Sequence, residues 1–290
     1  MRVAYAGLGA MGGPMAMNLA KSFETIVWNR THSRATKHAE AYGTIAVATL
    51  DELAQVDVVC TCLPTDVEVK LLAETLGAKL REGTVWLDHT SGAASGSRQI
   101  AALLASFGVS YLDAPVSGGT VGAQAGKLTV MVGGDKAKLD AVADVLDAVA
   151  AKVVHVGPVG TGMAVKAVNN ALMATSLWAA SEGLAALKAL GVPAPMSLEV
   201  INSSSGRSFA TEQLIAHQVV TRKFTPTFAV ELMAKDVGLA ASVLADAGVE
   251  GRVISLVHEL SRDAVEQLGT GVSHTSVAKV VEQASGIEIS

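Results

Sequence analysis

The sequence predicts an α/β domain built on a doubly wound parallel sheet, followed by an all-α domain, with one long helix linking the two. Two observations predict this class. Through about residue 157, short apolar runs alternate with helical patterns, as they do in βαβ units. After the glycine-rich residues 157–162, the apolar runs cease and a helical pattern continues over residues 163–190. We therefore divide the chain into domains at residues 1–162 and 163–290.

The predicted strands are short runs of aliphatic and β-branched residues bounded by glycine, proline or polar residues. They lie at residues 2–6, 25–28, 56–62, 84–88, 110–114, 129–132 and 152–155. Helices are predicted at residues 34–42, 136–150 and 163–190. Because ligands of such sheets bind beyond the carboxyl ends of the strands, the polar segments after the strands are the candidate binding loops.

The first strand ends in a glycine-rich turn made of Gly7, Leu8, Gly9, Ala10, Met11 and Gly12. A GxGxxG spacing after a strand and before a helix is typical of a Rossmann-type dinucleotide cradle. Gly7 permits the tight turn, Gly9 the close approach of a pyrophosphate, and Gly12 the packing of the helix on the strand. The helix N-terminus then faces the anion, so the first domain is predicted to bind a dinucleotide.

The second predicted strand ends in Asn29, Arg30 and Thr31, where a carboxylate usually accepts hydrogen bonds from the ribose hydroxyls of NAD. A guanidinium instead pairs with a phosphate, and Asn29 and Thr31 add neutral donors. The segment therefore favours NADP over NAD, and Arg34 can contribute. The alternative is that both arginines are solvated residues of a loop and a helix start.

Composition argues against several classes of protein. A net charge of −5 provides no basic field for nucleic acid or an anionic membrane, and aromatic residues make up only 4%, so the core is aliphatic. Cys60 and Cys62 alternate in one predicted strand, a poor geometry for a disulfide, which suits a reducing compartment. Neither they nor the scattered histidines have metal-ligand spacing, so no metal site is predicted. Without a signal-peptide pattern, a cytoplasmic location is expected.

The linking helix carries a polar cluster near its start. Lys166, Asn169 and Asn170 occupy positions i, i+3 and i+4 of one helix face, among alanine, valine and leucine. Partial burial lowers the pKa of a lysine, which makes Lys166 a candidate acid and base for a substrate oxygen. Asn170 can hold the same oxygen or the lysine, and Asn169 can bind substrate or backbone. The alternative is a lysine that extends its amine to water between two amides.

The linking helix is also apolar on all its sides, and such a helix must be covered by other parts of the protein. Neighbouring subunits can supply part of that cover, so a homodimer or homotetramer is expected. Its lysines, asparagines and glutamate would be costly in hydrocarbon, which argues against a membrane span.

Four segments resemble the signatures of the β-hydroxyacid dehydrogenases and occur in that family's order. They are residues 7–19, Asp113-Ala-Pro-Val-Ser-Gly-Gly119, Gly160-Thr-Gly-Met-Ala-Val-Lys-Ala-Val-Asn-Asn170 and Lys235-Asp236. Within the family, residues 203–208 and 232–240 look most like the members that act on 3-hydroxyisobutyrate. The resemblance spans nearly the whole chain. It implies a dinucleotide-binding domain followed by a helical domain for substrate binding and oligomerisation.

The resemblance also implies roles for individual residues. Lys166 matches the catalytic lysine and Asn170 the asparagine beside it. Asp236 is implied to position the cofactor-closing lysine, or else to form an ion pair on the helix surface. The remaining matches are the substrate-anchoring residues Ser117, Gly118 and Gly119, the cofactor-bordering residues Leu63 and Pro64, Ser91 near the nicotinamide ribose, and Lys235, which closes over the cofactor.

The implied reaction is the NAD(P)-dependent oxidation of 3-hydroxyisobutyrate to methylmalonate semialdehyde in valine catabolism, without a metal. Residues 29–31, however, resemble NADP-using relatives that reduce glyoxylate, succinic semialdehyde or tartronate semialdehyde. The third cofactor loop ends in Ser91 where relatives more often have threonine, and His89 is interpreted as a loop residue. A catalytically inactive NADP-binding module and an imine reductase are further alternatives, and the presence of Lys166 argues against both.

Overall fold

The computed structural model describes all 290 residues and divides into two compact units, Met1–Lys166 and Ala167–Ser290. The sequence analysis placed its boundary a few residues earlier, at 162/163.

The strands of the first unit are β1 Arg2–Ala6, β2 Glu24–Trp28, β3 Ile45–Ala46, β4 Val58–Thr61, β5 Val85–Asp88, β6 Ser110–Asp113, β7 Val116–Ser117, β8 Leu128–Gly133 and β9 Ala150–Gly157. Its helices are α1 Gly12–Leu19, α2 His32–Tyr42, α3 Asp66–Leu76, α4 Ala94–Ala105, α5 Gly119–Ala125, α6 Lys136–Ala141 and α7 Ala143–Asp147. Short 3₁₀ turns cover Leu50–Leu53 and Gly77–Lys79.

The nine strands form one sheet in the order β3-β2-β1-β4-β5-β6-β8-β7, with β9 paired to β8. Strands β1 to β6 pair in parallel, whereas β8 runs antiparallel to β6 and β7 and parallel to β9. The strand order reverses between β1 and β4, and doubly wound sheets bind ligands in the crevice at such a reversal. The predicted fold class is therefore confirmed, with two strands near one edge, β8 and β9, that run antiparallel to β1–β6.

The central strands are buried on both faces, which explains their continuous apolar sequence. Along β1, Val3 and Tyr5 pack into one hydrophobic core, while Ala4 and Ala6 pack into a second core on the other face. Successive side chains of a strand point to opposite faces, so a strand covered on both sides needs apolar residues at every position. Helices α1, α2, α5, α6 and α7 contribute to the first core, and α3 and α4 to the second.

The structure differs from the sequence prediction over residues 136–150. The single predicted helix is two short helices, because Val142 leaves the helical conformation with φ −119° and ψ 16°, and Ala150 already belongs to β9. The sequence analysis also predicted no bounds for helices α3 and α4. Strand β3, strand β7 and helix α5 were not predicted at all. Each is too short to show an apolar period, and α5 is set by Gly118 and Gly126, both with positive φ.

The second unit is helical, and helix α8, Thr161–Ala189, runs into it from the first unit. Its other helices are α9 Ala194–Asn202, a π-helix at Ala210–Val219, α10 Val230–Asp246, α11 Arg252–Leu268, a 3₁₀ turn at His274–Ser276 and α12 Val277–Ser285. One hydrophobic core joins them, with Trp178, Ile215 and Met233 among its buried members. None of the helices combines the length and the apolar content that crossing a membrane requires.

Candidate active site

The glycine-rich turn follows β1 at the carboxyl edge of the sheet and has the packing that the sequence predicts. Gly7 has a φ of +100°, and a Cβ atom there would lie 2.3 Å from the carbonyl oxygen of Cys62. A Cβ on Gly12, the first residue of α1, would lie 2.0 Å from the Gly7 carbonyl oxygen. At Gly9 a Cβ would meet nothing within 4 Å. The turn thus excludes side chains where it packs and leaves open space at Gly9, which fits the approach of a dinucleotide phosphate.

Asn29 connects the end of β2 to this turn. Its Oδ1 accepts a hydrogen bond from the Leu8 amide at 3.0 Å, and its Nδ2 donates to the Thr31 carbonyl oxygen at 3.0 Å. Both polar ends of the side chain therefore support the loops, so Asn29 has less capacity to bind a ligand than the sequence suggested. Arg30, Thr31 and Arg34 are exposed, and Thr31 directly precedes α2.

A buried carboxylate organises the loops after β4 and β5. Asp88 Oδ1 accepts from the Thr61 hydroxyl at 2.8 Å and the Thr90 amide at 3.0 Å, and its Oδ2 accepts from the Tyr111 hydroxyl at 2.8 Å. Burial raises the pKa of Asp88 to about 6, against the effect of these hydrogen bonds. Thr90 in turn accepts from the Leu63 amide at 3.0 Å. Leu63, which is predicted to border the cofactor, thus has its backbone held by Thr90.

His89 is a structural residue of the third loop, as the sequence analysis interpreted it. It is buried, and its Nδ1 lies 2.7 Å from the Ala114 carbonyl oxygen, to which it donates. Burial lowers the pKa of His89 to about 4, so its imidazole is neutral at neutral pH. Ser91, two residues later, is half-buried, and Pro64 in the preceding loop is exposed.

A second buried carboxylate lies at the start of α8. Asp113, the last residue of β6, accepts hydrogen bonds from the amides of Gly160 at 2.7 Å and Met163 at 2.9 Å. Burial raises the pKa of Asp113, and these hydrogen bonds oppose the rise. The sequence analysis includes Asp113 only as part of a motif and does not predict this role. An acidic residue at a strand end, together with a Gly-x-Gly at a helix start, is the signal that could have indicated it.

The predicted substrate-anchoring residues lie at the end of β7. This strand runs in the direction of β6, because both are antiparallel to β8, so Ser117 belongs to the same edge of the sheet as the cofactor loops. Gly118 and Gly119 are exposed and have φ values of +131° and +62°. Two successive residues in that region form the turn that leads into α5, in a conformation that side chains disfavour.

Lys166 is half-buried and is the last residue of the first unit. It lies on α8 one turn after the amides that Asp113 holds. The first unit thus carries at one edge the glycine-rich turn, the loops containing Leu63 and Ser91, and residues 117–119, and it ends in Lys166.

The second unit brings the other predicted polar residues together. Asn170 Nδ2 donates to Asp236 Oδ2 at 2.6 Å, and Asn170 Oδ1 accepts from Asn169 Nδ2 at 3.1 Å. Asp236 Oδ1 lies 3.3 Å from Lys235 Nζ, an ion-pair distance, although the geometry does not make a hydrogen bond. Asp236 therefore links the helix of Asn170 to Lys235. No pattern in the sequence indicated its contact with Asn170.

Two family models match the chain. Residues 2–157 match the model described as the NAD binding domain of 6-phosphogluconate dehydrogenase. Residues 160–281 match the model described as NAD-binding of NADP-dependent 3-hydroxyisobutyrate dehydrogenase. Together they cover nearly the whole sequence.

Relatives and a solved structure are similar over most or all of the chain. The 2-(hydroxymethyl)glutarate dehydrogenase of Eubacterium barkeri is 35% identical, and the match covers 100% of this chain and 98% of the relative. A probable 3-hydroxyisobutyrate dehydrogenase of Mycobacterium tuberculosis is 35% identical over 85% of this chain and 86% of its own. A solved structure of Mycobacterium tuberculosis 3-hydroxyisobutyrate dehydrogenase with L-serine aligns with a TM-score of 0.91 at 30% identity, covering 97% of this chain and 99% of that one.

Proposed function

Because this chain belongs to the β-hydroxyacid dehydrogenase family, NAD(P)-dependent oxidoreductases that act on CH–OH groups, we propose that it oxidises 3-hydroxyisobutyrate to methylmalonate semialdehyde. This reaction is a step of valine catabolism. The observation that carries the proposal is the position of Lys166, half-buried and one turn into a helix whose start is hydrogen-bonded to the strand end at Asp113. A lysine held at the ligand-binding edge of a doubly wound sheet is placed to exchange a proton with a substrate oxygen.

The proposed chemistry needs one hydride acceptor and one proton acceptor. When bound, the nicotinamide ring of the cofactor supplies the hydride acceptor. Lys166, as the neutral amine, takes the hydroxyl proton while the hydride leaves the carbinol carbon, and the C–O bond becomes the carbonyl of the semialdehyde. In the reverse direction the ammonium of Lys166 returns the proton. Asn170 supports this step by holding the substrate oxygen or the lysine.

The substrate carboxylate is assigned to residues 117–119. The Ser117 hydroxyl and the exposed backbone of Gly118 and Gly119 are suited to accommodate a carboxylate oxygen, as turn-based anion sites do. Asn169 is exposed and can contribute a further amide to the substrate. A 3-hydroxy acid satisfies both requirements, since it carries a carboxylate and a hydroxyl group.

We assign the cofactor to the crevice beyond β1 and β4, with NADP preferred over NAD. The open space at Gly9 accommodates the pyrophosphate, and the exposed Arg30 and Thr31 face solvent where a 2′-phosphate would be met. The pKa of Glu68 is lowered mainly by the hydrogen bond from the Thr65 side chain. The charge of Arg30, which lies nearby, lowers this pKa to a smaller extent. The other assigned contacts are Leu63, Pro64, Ser91 and Lys235.

An NADPH-dependent reductase of glyoxylate, succinic semialdehyde or tartronate semialdehyde is the second candidate function. The observation that favours it is the segment Asn29-Arg30-Thr31, which offers no carboxylate to a ribose hydroxyl. The full-length similarity to 2-(hydroxymethyl)glutarate dehydrogenase adds a larger 3-hydroxy acid as a third substrate to compare.

The test is a steady-state comparison of kcat/KM on the purified protein. Oxidation of 3-hydroxyisobutyrate, 2-(hydroxymethyl)glutarate and L-serine is measured with NAD and with NADP, and the semialdehydes are reduced with NADPH. We expect 3-hydroxyisobutyrate with NADP to give the highest efficiency. If another substrate is better by tenfold or more, about 1.4 kcal/mol of transition-state stabilisation, the substrate assignment is wrong.

We further propose that the chain forms a homodimer or homotetramer through its second unit. Met196 and Val200 on α9 are 60% and 66% exposed, and Val253 and Leu256 on α11 are 62% and 55% exposed. Their spacing places each pair on one helix face, and apolar faces of this kind are typical of subunit contacts. Analytical ultracentrifugation is expected to give a dimer or tetramer mass, and a monomer at micromolar concentration would contradict the proposal.

A further inference from the structure

We propose that Asp113 is a positioning residue of the reaction, because its carboxylate holds the first turn of α8 and thereby fixes the place of Lys166. This inference rests on the proposed role of Lys166 as proton acceptor. Asp113 itself touches neither substrate nor cofactor in this proposal. It acts through the backbone of the helix that carries the lysine.

The first step of the argument is that this carboxylate accepts hydrogen bonds from two amides at the start of α8. The amides of the first helical turn have no partner within the helix, so they need an acceptor from elsewhere. Asp113 accepts from Gly160 at 2.7 Å through Oδ1 and from Met163 at 2.9 Å through Oδ2. The amide and the hydroxyl of Thr161 both donate to the Pro158 carbonyl oxygen, at 3.1 and 2.7 Å, so the amides that rely on Asp113 are those of Gly160 and Met163. A negative charge at this end of the helix is also favoured by the helix dipole.

The second step is that the strand and helix backbones pack closely around the carboxylate and the helix start. A Cβ on Gly162 would lie 2.4 Å from the Met131 carbonyl oxygen and 2.8 Å from Asp113 Oδ2. A Cβ on Gly133 would lie 2.6 Å from Asp113 Oδ1. Gly160 has a φ of +93°, and its Cβ would lie 2.8 Å from the Ala94 carbonyl oxygen. The glycines therefore let strand and helix backbones approach closely around a fully buried carboxylate.

The third step connects this contact to the chemistry. Lys166 follows Met163 by three residues, so the turn that Asp113 holds is the turn that leads directly to the lysine. A shift of that turn moves the lysine amine relative to the cofactor loops at the same edge of the sheet. Misplacement of a reacting group by about 1 Å costs on the order of 100-fold in rate.

Substitution of Asp113 by asparagine keeps the size of the side chain but replaces one acceptor oxygen by a donor, so it tests the hydrogen bonds alone. In Asp113→Asn, the amide nitrogen faces a backbone N–H group whichever way the side chain is turned, and two donors cannot bond to each other. Asp88 provides a matched case, because it is buried and pairs with Asp113 in the register of β5 and β6. In Asp88→Asn, Oδ1 keeps the donors Thr61 and Thr90, and Nδ2 donates to the Tyr111 hydroxyl, which can accept.

The experiment compares kcat, KM and the cofactor dissociation constant of Asp113→Asn with those of the wild-type protein. We expect kcat to fall by about 10- to 100-fold, from misplacement of the lysine, with the cofactor dissociation constant changed less than about twofold. The turnover control is Asp135→Asn, because Asp135 is an exposed residue of the same unit that caps α6. A kcat of Asp113→Asn within about threefold of wild type overturns the proposal. A cofactor dissociation constant that rises by the same factor as kcat falls also overturns it.

Amide hydrogen exchange at Gly160 and Met163 gives a second readout that does not depend on turnover. We expect both amides to be protected in the wild-type protein, to exchange at least about tenfold faster in Asp113→Asn, and to be unchanged in Asp88→Asn. If the amides of Gly160 and Met163 in the wild-type protein exchange as fast as the unprotected amides of a helix start, the proposal is overturned, even if Asp113→Asn does not fold. If Lys166→Ala retains wild-type kcat, the proposed acid/base role fails, and exchange alone then decides whether Asp113 holds the turn.

Discussion

The carboxyl edge of the sheet in the first unit and the polar cluster of the second unit treat buried polar groups differently. At the sheet edge, both oxygens of Asp88 and of Asp113 accept hydrogen bonds from within the unit. In the second unit, Asp236 has one oxygen bonded to Asn170, while the other is buried without a hydrogen-bond partner. The other buried side-chain atoms without a partner, Ser197 Oγ and Asn202 Oδ1, also belong to the second unit.

This difference separates two roles of a buried polar group: support of the surrounding backbone, and binding of a further group such as a ligand. A buried polar atom without a partner costs about 1–3 kcal/mol, so it calls for a reason to be present. The satisfied carboxylates of the first unit hold loops and a helix start in place. The second oxygen of Asp236 lies at ion-pair distance from Lys235 but accepts no hydrogen bond. It can therefore accept one from a ligand group or from Lys235. Four predictions test this distinction.

The largest effect is expected for Lys166→Ala. The lysine is the proposed proton acceptor, and general acid–base catalysis contributes about 10²- to 10⁴-fold, so we expect kcat to fall by about three orders of magnitude. The cofactor dissociation constant, measured by NADPH fluorescence, should stay within about twofold. Turnover near the wild-type value would remove the acid/base role of Lys166.

The next effect is on stability and tests the support role of Asp88. Its pKa is raised from 3.8 to about 6 in the folded protein, so the charged form is disfavoured there. The resulting stability is present below about pH 4 and is lost as the pH rises through 6, by up to about 3 kcal/mol. Asp88→Asn keeps the hydrogen bonds without the charge. Urea unfolding should therefore show the variant more stable than wild type at pH 8, with little difference at pH 4.

His89 provides the opposite pH dependence at the neighbouring position. Its pKa is lowered from 6.5 to about 4, so its contribution to stability is present above pH 6.5 and is lost as the pH falls through 4. In wild type the two effects oppose each other between pH 4 and 6. A variant Asp88→Asn that is destabilised equally at both pH values would mean that asparagine does not keep the hydrogen bonds of the carboxyl group, contrary to this account.

Asp236→Ala tests the binding capacity of the second unit. It releases both Asn170 and Lys235, and we expect kcat/KM to fall by about 30-fold, a loss within the range for a charge-assisted hydrogen bond. The matched control is Ser197→Ala, which removes another buried polar atom without a partner and should leave kcat/KM unchanged. In a double-mutant cycle with Asn170→Ala, additive losses would contradict a shared role.

Arg30→Ala has the smallest expected effect and sharpens the cofactor assignment. Loss of one charge-assisted contact to the 2′-phosphate should raise the KM for NADP by about tenfold and leave the KM for NAD unchanged. Arg81→Ala is the control, because Arg81 is an exposed arginine of the same unit that pairs with Asp57. Equal changes for NAD and NADP would mean that Arg30 does not contact the phosphate.

Local patterns were sufficient to predict much of the first unit. The run before Gly7 shows strand β1, and the spacing of Gly7, Gly9 and Gly12 gives the turn, because both depend on residues adjacent in sequence. The long helix was predicted to within about two residues at its start, since the loss of apolar runs after Gly162 is also a local signal. The break at Val142 was missed because no glycine or proline marks it.

The contacts that organise the site could not be predicted in the same way. Asp113 bonds to Gly160 and Met163, which lie 47 and 50 residues later, and Asn170 bonds to Asp236 at a separation of 66. Such pairs depend on how distant elements pack, and no local period reports on that packing. The resemblance therefore indicated Asp236, but no local pattern indicated the hydrogen bonds that Asp113 and Asp236 make.

The separation between Asp113 and its donors also has a consequence for synthesis of the chain. At rates of about 5–20 residues per second, Gly160 and Met163 emerge roughly 3–10 s after Asp113. A nascent chain that ends at Gly157 already contains all nine strands, yet its central carboxylate has no amides to accept from. The hydrogen bonds of Asp113 therefore form only when the first turn of the next helix has been translated, so a cut between the two units should be placed after Lys166 and not at residue 157.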